Sequence, residues 1–122
     1  MKWFSPLYLG ESIGTGAGRY CAGIESGSAG PWDRSILIVL SAHQGASLEL
    51  ITVRLATDSR NLRRENLRAV GLAGSLKEAR ELTAQIALEC LEATGGEDLK
   101  EWFLSFPQER WSDRGEVGVS KP

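Results

Sequence analysis

The feature that most constrains this 122-residue chain is a short, wholly apolar run, Ile36–Leu40, inside the segment Ser35–Ala42. β-Branched residues and leucines fill the run, and Pro31 and Gly45 bound it, which is typical of a strand buried on both faces. A sheet that contains such a strand needs cover on each side. Because a membrane helix requires ~20 apolar residues, we expect no transmembrane segment here.

The residues after this run predict two further strands in a largely antiparallel sheet. His43–Ala46 supplies a turn, and Leu48–Leu55 follows so closely that only an antiparallel hairpin can join it to the first strand. Asp58 and Ser59 are N-cap types that precede a short Arg/Leu-rich helix. Leu67–Ala73 then predicts a third, shorter strand.

The strongest helix signal spans Leu76 to about Ala93. Ser75 and Glu78 have the spacing of a capping box, in which each side chain bonds the other's backbone. Apolar and small side chains share one face at 100° per residue, and charged ones occupy the opposite face with the exception of Leu88. Thr94–Gly96 ends the helix, since glycine tolerates the left-handed conformation there.

Together these elements predict an α+β fold, with a small three-stranded, largely antiparallel sheet covered by one long amphipathic helix from the C-terminal half. We expect a single domain over residues 1–107 and a polar, flexible tail over residues 108–122. The aromatic segments 1–9 and 102–106 are the expected cover for the second sheet face, and a second subunit is the alternative.

Residues 10–30 contain half of the chain's 14 glycines. Each glycine inside a helix costs about 1 kcal/mol relative to alanine. The segment therefore predicts a Gly/Ser-rich loop with at most a short helical piece near Arg19–Glu25. Its glycine string does not match a dinucleotide-binding fingerprint, because Arg19 stands where the third glycine belongs.

Charge and cysteine content restrict the class of protein. The formal charge of −2 argues against a generic polyanion binder. Residues 58–74 are net basic and residues 75–122 net acidic, which favours internal pairing or self-association. No basic-then-apolar leader opens the chain, so we expect a cytoplasmic protein. Cys21 and Cys90 are too few and too far apart for a zinc pair, and we expect no cofactor.

The segment Gly71–Ser75 is a candidate anion- or nucleotide-binding junction. A strand runs through small residues into a capped helix, so backbone N–H groups and the positive end of the helix dipole point at one place. Gly71, Gly74 and Ser75, with Arg68 upstream, are the candidate site residues. The alternative is that Gly74 makes the turn while Ser75 and its capping partner satisfy those donors.

A second candidate is the arginine patch over residues 60–68. Arg60, Arg63 and Arg64 fall at helical spacing, so they could present a basic face to nucleic acid or to an acidic protein surface. No aromatic residue interleaves them, which favours a solvated face and makes nucleic acid the less favoured partner.

No set of residues with catalytic or metal-binding spacing is present. His43 is the only histidine, and no His-x-x-x-His, Cys-x-x-Cys or Gly-x-Ser-x-Gly grouping occurs. We therefore nominate no catalytic and no metal-ligating residue.

The opening segment Trp3–Glu11 and the later pieces Gly71–Ser75 and Thr94–Gly96 are distinctive. On these residues the chain resembles a group of short bacterial proteins of unassigned function. The resemblance implies a single compact bacterial domain and transfers no catalytic residue. It departs over residues 12–30, where the group tends to have a Lys/Arg-rich helical stretch.

The leading functional hypothesis is a non-catalytic protein–protein interaction or accessory module, as a homo-oligomer or with a protein partner. The alternatives are an anion or nucleotide sensor at residues 71–75 and a nucleic-acid binder using the arginine patch. An enzyme is not excluded, but no residue nominates its chemistry.

Overall fold

The computed structural model describes residues 1–43 and 47–113, which form a central sheet with helices on both faces. Numbered along the chain, the strands and helices are β1 (Lys2–Leu9), α1 (Ala17–Ser26), β2 (Ile36–Leu40), β3 (Leu48–Thr52), α2 (Val53–Ala56), β4 (Arg68–Ala73), α3 (Leu76–Thr94), α4 (Leu99–Leu104) and β5 (Trp111–Ser112). Short 3-10 turns occur at Gly14–Gly16, Pro31–Arg34, Arg64–Asn66 and Gln108–Arg110.

The sheet has five strands in the order β3-β2-β4-β1-β5. β1 and β4 run parallel, whereas β2 is antiparallel to both β3 and β4, and β5 is antiparallel to β1. The fold is α+β, but the predicted three-stranded, largely antiparallel sheet is wrong because the sheet is mixed and has two more strands. The 19-residue α3 lies mid-chain and is followed by α4 and β5, so it is not a C-terminal helix.

The first additional strand comes from the N-terminal aromatic segment. Residues 1–9 were expected to cover the sheet, but β1 lies inside it between β4 and β5. Trp3 and Phe4 point to opposite faces, and both are buried because an interior strand is covered on each side. Pro6 obscured this strand in the sequence, since proline is uncommon within interior strands.

The prediction that β2 is buried on both faces is confirmed. All five of its residues are buried. Leu37 and Val39 face the layer that contains α1, and Ile36, Ile38 and Leu40 face the layer that contains α3. The antiparallel hairpin of β2 with β3 is also confirmed, although turn residues 44–46 lie outside the described residues.

The first face of the sheet is covered by α1, which comes from the segment predicted as a loop. Its buried residues are Ala17, Cys21, Gly23 and Ile24. A Cβ at Gly23 would lie 2.2 Å from the Trp32 ring, so glycine is what lets the indole pack against the helix. The helical piece expected near Arg19–Glu25 is present and extends over Ala17–Ser26. The loop prediction is wrong for the added residues because burial against the sheet outweighs the intrinsic helix cost of glycine.

The second face is covered by α3. Its predicted Ser75 cap and glycine end are confirmed, but the capping box is incomplete because Glu78 accepts from Gly74 N and Ser12 and not from Ser75 N. Ser75 Oγ accepts a hydrogen bond from Glu78 N at 3.2 Å, and Gly95 ends the helix at a φ of 76°. α3 buries Ala79, Leu82, Ile86 and Cys90 against the sheet. Tyr8 Oη donates to Glu89 at 2.5 Å and so ties β1 to this helix.

An aromatic cluster extends this second layer toward the C-terminal end. The Phe4 ring centroid lies 4.9 Å from that of Phe103 and 5.2 Å from that of Trp111. Arg110 donates from Nε to Ser5 O at 2.6 Å and lies over the Phe4 ring. Residues 108–113 of the predicted tail are therefore packed on the sheet, and residues 114–122 lie outside the described part of the chain.

Replacement of Gly23 by alanine tests the packing between α1 and Trp32. Helix propensity alone predicts that Gly23→Ala stabilises the protein by about 1 kcal/mol. We expect the opposite sign, a loss of about 1–3 kcal/mol, because the new methyl group overpacks against the indole. The measurement is urea unfolding followed by tryptophan fluorescence.

Gly16→Ala is the control, because a Cβ at Gly16 meets Tyr20 at an ordinary distance of 3.7 Å. We expect its effect to stay within about 0.5 kcal/mol. Equal stability of Gly23→Ala and the wild type would contradict the close packing of Trp32.

Candidate functional site

The outer side of β3 stands at one edge of the sheet and is the first candidate site. Two backbone hydrogen bonds at the ends of the β2–β3 ladder show which residues of β3 bond to β2. Val53 N donates to Ser35 O and Ser41 N donates to Ser47 O, each at 2.9 Å. Hydrogen-bonded pairs of an antiparallel ladder recur at every second residue. The residues that bond to β2 are therefore the odd-numbered ones of β3.

The even-numbered residues of β3 direct their backbone groups the other way. Glu49 and Ile51 use their N–H and C=O groups on β2, so those of Leu48, Leu50 and Thr52 point away from the sheet. None of the described residues forms a ladder with that side of β3. The edge thus offers three N–H donors and two C=O acceptors at the spacing of a strand, because the C=O of Thr52, the N-cap of α2, accepts the first hydrogen bond of that helix.

Apart from the charged Glu49, this edge lacks the features that usually prevent strands from pairing with one another. Proteins protect open edges with very short strands, proline, lysine or bulges. β3 contains no proline or lysine, and its register with β2 continues unshifted over all five residues. At the opposite edge β5 is only two residues long. The two edges therefore differ sharply in their capacity to accept another strand.

An apolar groove borders β3 on each face of the sheet. The groove on the α3 face is about 520 Å³ and is lined by Ala84, Ala87, Leu88 and Leu91 of α3. Leu88 and Leu91 are 56% and 49% exposed. A second groove of about 410 Å³, on the other face, is lined by Ile51 and the exposed Leu55 and, at its polar end, by Asp58, Arg60 and Asn61. Apolar surface thus lies on both sides of the open backbone.

One polar cluster lies where the β2–β3 hairpin turns. Glu49 accepts a hydrogen bond from the buried Ser41 hydroxyl at 2.8 Å and pairs with Arg63 at 3.1 Å. Burial acts to raise the pKa of Glu49, but the bonds from Ser41 and Arg63 outweigh it and hold the pKa below its usual value of 4.5. The single ionisable side chain of β3 is therefore charged and already paired.

The same cluster does not have the geometry of a nucleophile with its base. Ser41 donates its proton to Glu49, while the exposed His43 places Nε2 3.9 Å from that carboxylate. In a catalytic triad the serine hydroxyl bonds to the histidine and the acid orients that histidine, whereas here the hydroxyl bonds to the acid and the His43 ring lies beside the same acid. The cluster can fix the hairpin end, and its contacts do not form a catalytic triad.

The predicted anion junction is filled by a side chain of the protein itself. Glu78 accepts hydrogen bonds from Gly74 N at 2.7 Å, from Ser12 N at 3.0 Å and from Ser12 Oγ at 2.8 Å. The bond from Gly74 is the main cause of the lowered pKa of Glu78. The donors predicted to meet a phosphate thus meet a carboxylate, which corresponds to the alternative stated for this junction.

The other residues of that candidate site lie apart from it. Gly71 is buried within β4, where an added Cβ would be 2.9 Å from Ile38 Cδ1. Arg68 lies at the opposite end of β4 from Gly74, with its guanidinium 5.1 Å from the centroid of the Trp111 ring. Anion binding at residues 71–75 stays a prediction, and these contacts give it no support.

The arginines of the predicted patch have separate partners. Arg60 bonds to Asp58 through Nε and a terminal nitrogen, and this contact lowers the pKa of Asp58 to about 2. Arg63 pairs with Glu49, as described above. Arg64 lies beside Met1 and the α1 layer around a cavity of about 70 Å³. Residues 60–66 form turns rather than the helix that the spacing predicted.

The described residues also bear on metal binding, membrane insertion and thiol chemistry. Within residues 1–43 and 47–113, no group of three or more His, Cys, Asp or Glu side chains could hold a metal ion. No helix in this part of the chain has the length and hydropathy to cross a bilayer. Cys21 and Cys90 are both buried free thiols, and burial raises the pKa of Cys21 to about 12.

Comparison with protein-family models, with curated proteins and with solved structures finds no match to this chain.

The open edge was not among the predicted sites. The hairpin of β2 and β3 was predicted, but which of its strands faces solvent depends on β4 and β1, which join the sheet from distant parts of the sequence. The alternation in Leu48–Thr52 was the one local signal.

Replacement of Glu78 by glutamine tests the carboxylate at the junction. Glu78→Gln removes the charge and sets an NH₂ group against the donors of Ser12, so we expect a loss of about 1–3 kcal/mol at pH 7. Because the folded-state pKa of Glu78 is lowered, its stabilisation is present above the usual value of 4.5 and disappears as the pH falls through the folded value. Urea unfolding at pH 7 and pH 3 measures both effects.

Glu81→Gln is the matched control, because Glu81 is an exposed carboxylate on the same helix. We expect Glu81→Gln to change stability by less than about 0.5 kcal/mol at either pH. A Glu78→Gln protein that kept the stability and the pH profile of the wild type would show that the junction does not depend on this carboxylate.

Proposed function

We propose that this protein is a non-catalytic interaction module that binds protein by adding a strand to the open edge of β3. The observation that carries the proposal is the row of outward-pointing backbone groups on Leu48, Leu50 and Thr52. In strand addition, main-chain hydrogen bonds supply affinity and alternate side-chain contacts supply specificity. A cytoplasmic location, expected from the sequence, is part of the same proposal.

The surroundings of the edge support this function. An added strand would place alternate side chains beside the two apolar grooves, the one along α3 and the one beside Leu55. The Glu49 carboxylate is already paired with Arg63, so the edge itself presents no unpaired charge to an incoming strand. The ion pairs of Arg60 and Arg63 make nucleic acid the weaker candidate partner.

Thr52 allows the edge to be blocked without disturbing the ladder with β2. Its φ is −67°, which matches proline, and its N–H points outward. Thr52→Pro removes that donor and sets a ring in the path of an added strand. Thr52→Ala is the matched comparison, because both variants lose the hydroxyl that accepts a bond from Leu55 N.

The test is the binding of a fluorescent peptide with the sequence of residues 47–54, followed by anisotropy as protein is added. We expect Thr52→Pro to bind the peptide roughly tenfold more weakly than Thr52→Ala, since the lost N–H and the added ring both act on the edge. No binding to the wild-type protein at a dilution where it is monomeric, or equal binding by the two variants, would refute strand addition at β3.

A further inference from the structure

The outward pattern of β3 is symmetric about its central residue. Leu48, Leu50 and Thr52 carry the open backbone groups, so a second β3 can pair with the first in antiparallel orientation about Leu50. Leu50 then lies opposite Leu50 of the second copy, and Leu48 lies opposite Thr52. The Leu50 pair exchanges two N–H···O=C bonds. In each Leu48–Thr52 pair the Thr52 N–H donates to Leu48 O, whereas the Thr52 C=O already accepts the first hydrogen bond of α2.

We infer that the strand added to β3 is the β3 of a second copy of this chain, which joins the two sheets into one continuous sheet of ten strands. The inference rests on the proposed function and names its partner. The two-fold axis runs perpendicular to the sheet through the Leu50 pair, so α3 of each copy stays on the same side. The partner's Leu48 and Leu50 then extend the apolar floor beside Ala87 and Leu91.

The charges on the strand are compatible with this pairing. In the symmetric register Glu49 lies opposite Ile51 of the second copy and not opposite its own equivalent, so two like charges do not face each other directly. Each Glu49 is also paired with Arg63 of its own chain. The formal net charge of −2 on 122 residues adds little long-range repulsion between copies.

The opposite edge explains why such an assembly stops at two copies. An isologous contact uses the same surface on both subunits and closes the assembly, whereas further growth needs a second accepting surface. β5, at the other edge, has only two residues, and β1 beyond it is interrupted by Pro6, which has no N–H, and by the Ser5 carbonyl, which accepts from Arg110. Pairing through β3 consumes the long unprotected edge of each chain.

The experiment combines light scattering after size-exclusion chromatography with amide hydrogen exchange followed by NMR. We expect the wild-type protein and Thr52→Ala at about 100 µM to have twice the 13.3 kDa mass of the chain, and Thr52→Pro to dissociate with a roughly tenfold higher Kd. In the dimer, the amides of Leu50 and Thr52 exchange slowly. On dilution both exchange fast, as does the amide of Leu50 in Thr52→Pro, while those of Glu49 and Ile51 stay protected.

The exchange pattern needs no variant, so it decides the question even if Thr52→Pro does not fold. A wild-type protein that stays monomeric at about 200 µM overturns the inference. So does a dimer in which the amides of Leu50 and Thr52 still exchange fast, since its interface lies elsewhere. If a monomeric wild type still binds the residue 47–54 peptide, the proposed function stands with another chain as partner; if the peptide also fails to bind, both fall.

Discussion

The fold depends on covering β2 from both sides. A strand whose five residues are all buried cannot lie at the surface, and each of its faces needs its own layer of side chains. α3 and the aromatic cluster around Phe4 cover one face, and α1 with Trp32 covers the other. The glycine-rich segment becomes helical to meet this requirement, because burying Cys21 and Ile24 stabilises a helix that its own propensity would not.

The same requirement explains which parts of the fold could be predicted from the sequence. Local signals were sufficient for β2, its hairpin with β3, and α3 with its caps, because periodicity and capping residues act over a few positions. β1 was missed and α1 was predicted only in part, since each forms against local preference, β1 with Pro6 inside it and α1 with Gly18 and Gly23. Their stability comes from contacts with β4, Trp32 and the sheet face, which lie far away in the sequence.

The candidate edge was harder still to predict, because a strand becomes an edge only through the placement of all the others. Leu48–Thr52 carries an ordinary strand pattern, and nothing within it tells whether its second side is occupied. The predicted junction at residues 71–75 also depends on residues outside it. Gly74 and Ser75 do form a turn with converging donors, but whether those donors are free depends on Glu78, three residues into the helix, and on Ser12 of a separate loop.

The Glu78 carboxylate therefore occupies the position at the junction where a dissolved anion would bind, and it uses the same hydrogen-bond donors. A carboxylate on a short linker has an effective concentration on the order of millimolar or more, so a dissolved phosphate below that level is outcompeted at this pocket. Gly74 keeps the pocket tight, because any Cβ there would lie 2.1 Å from the Ser12 hydroxyl. Glu78→Ala would remove the carboxylate and leave Gly74 N, Ser12 N and the Ser12 hydroxyl without their acceptor. Added formate or acetate would then accept the same hydrogen bonds and restore the stability lost with the side chain.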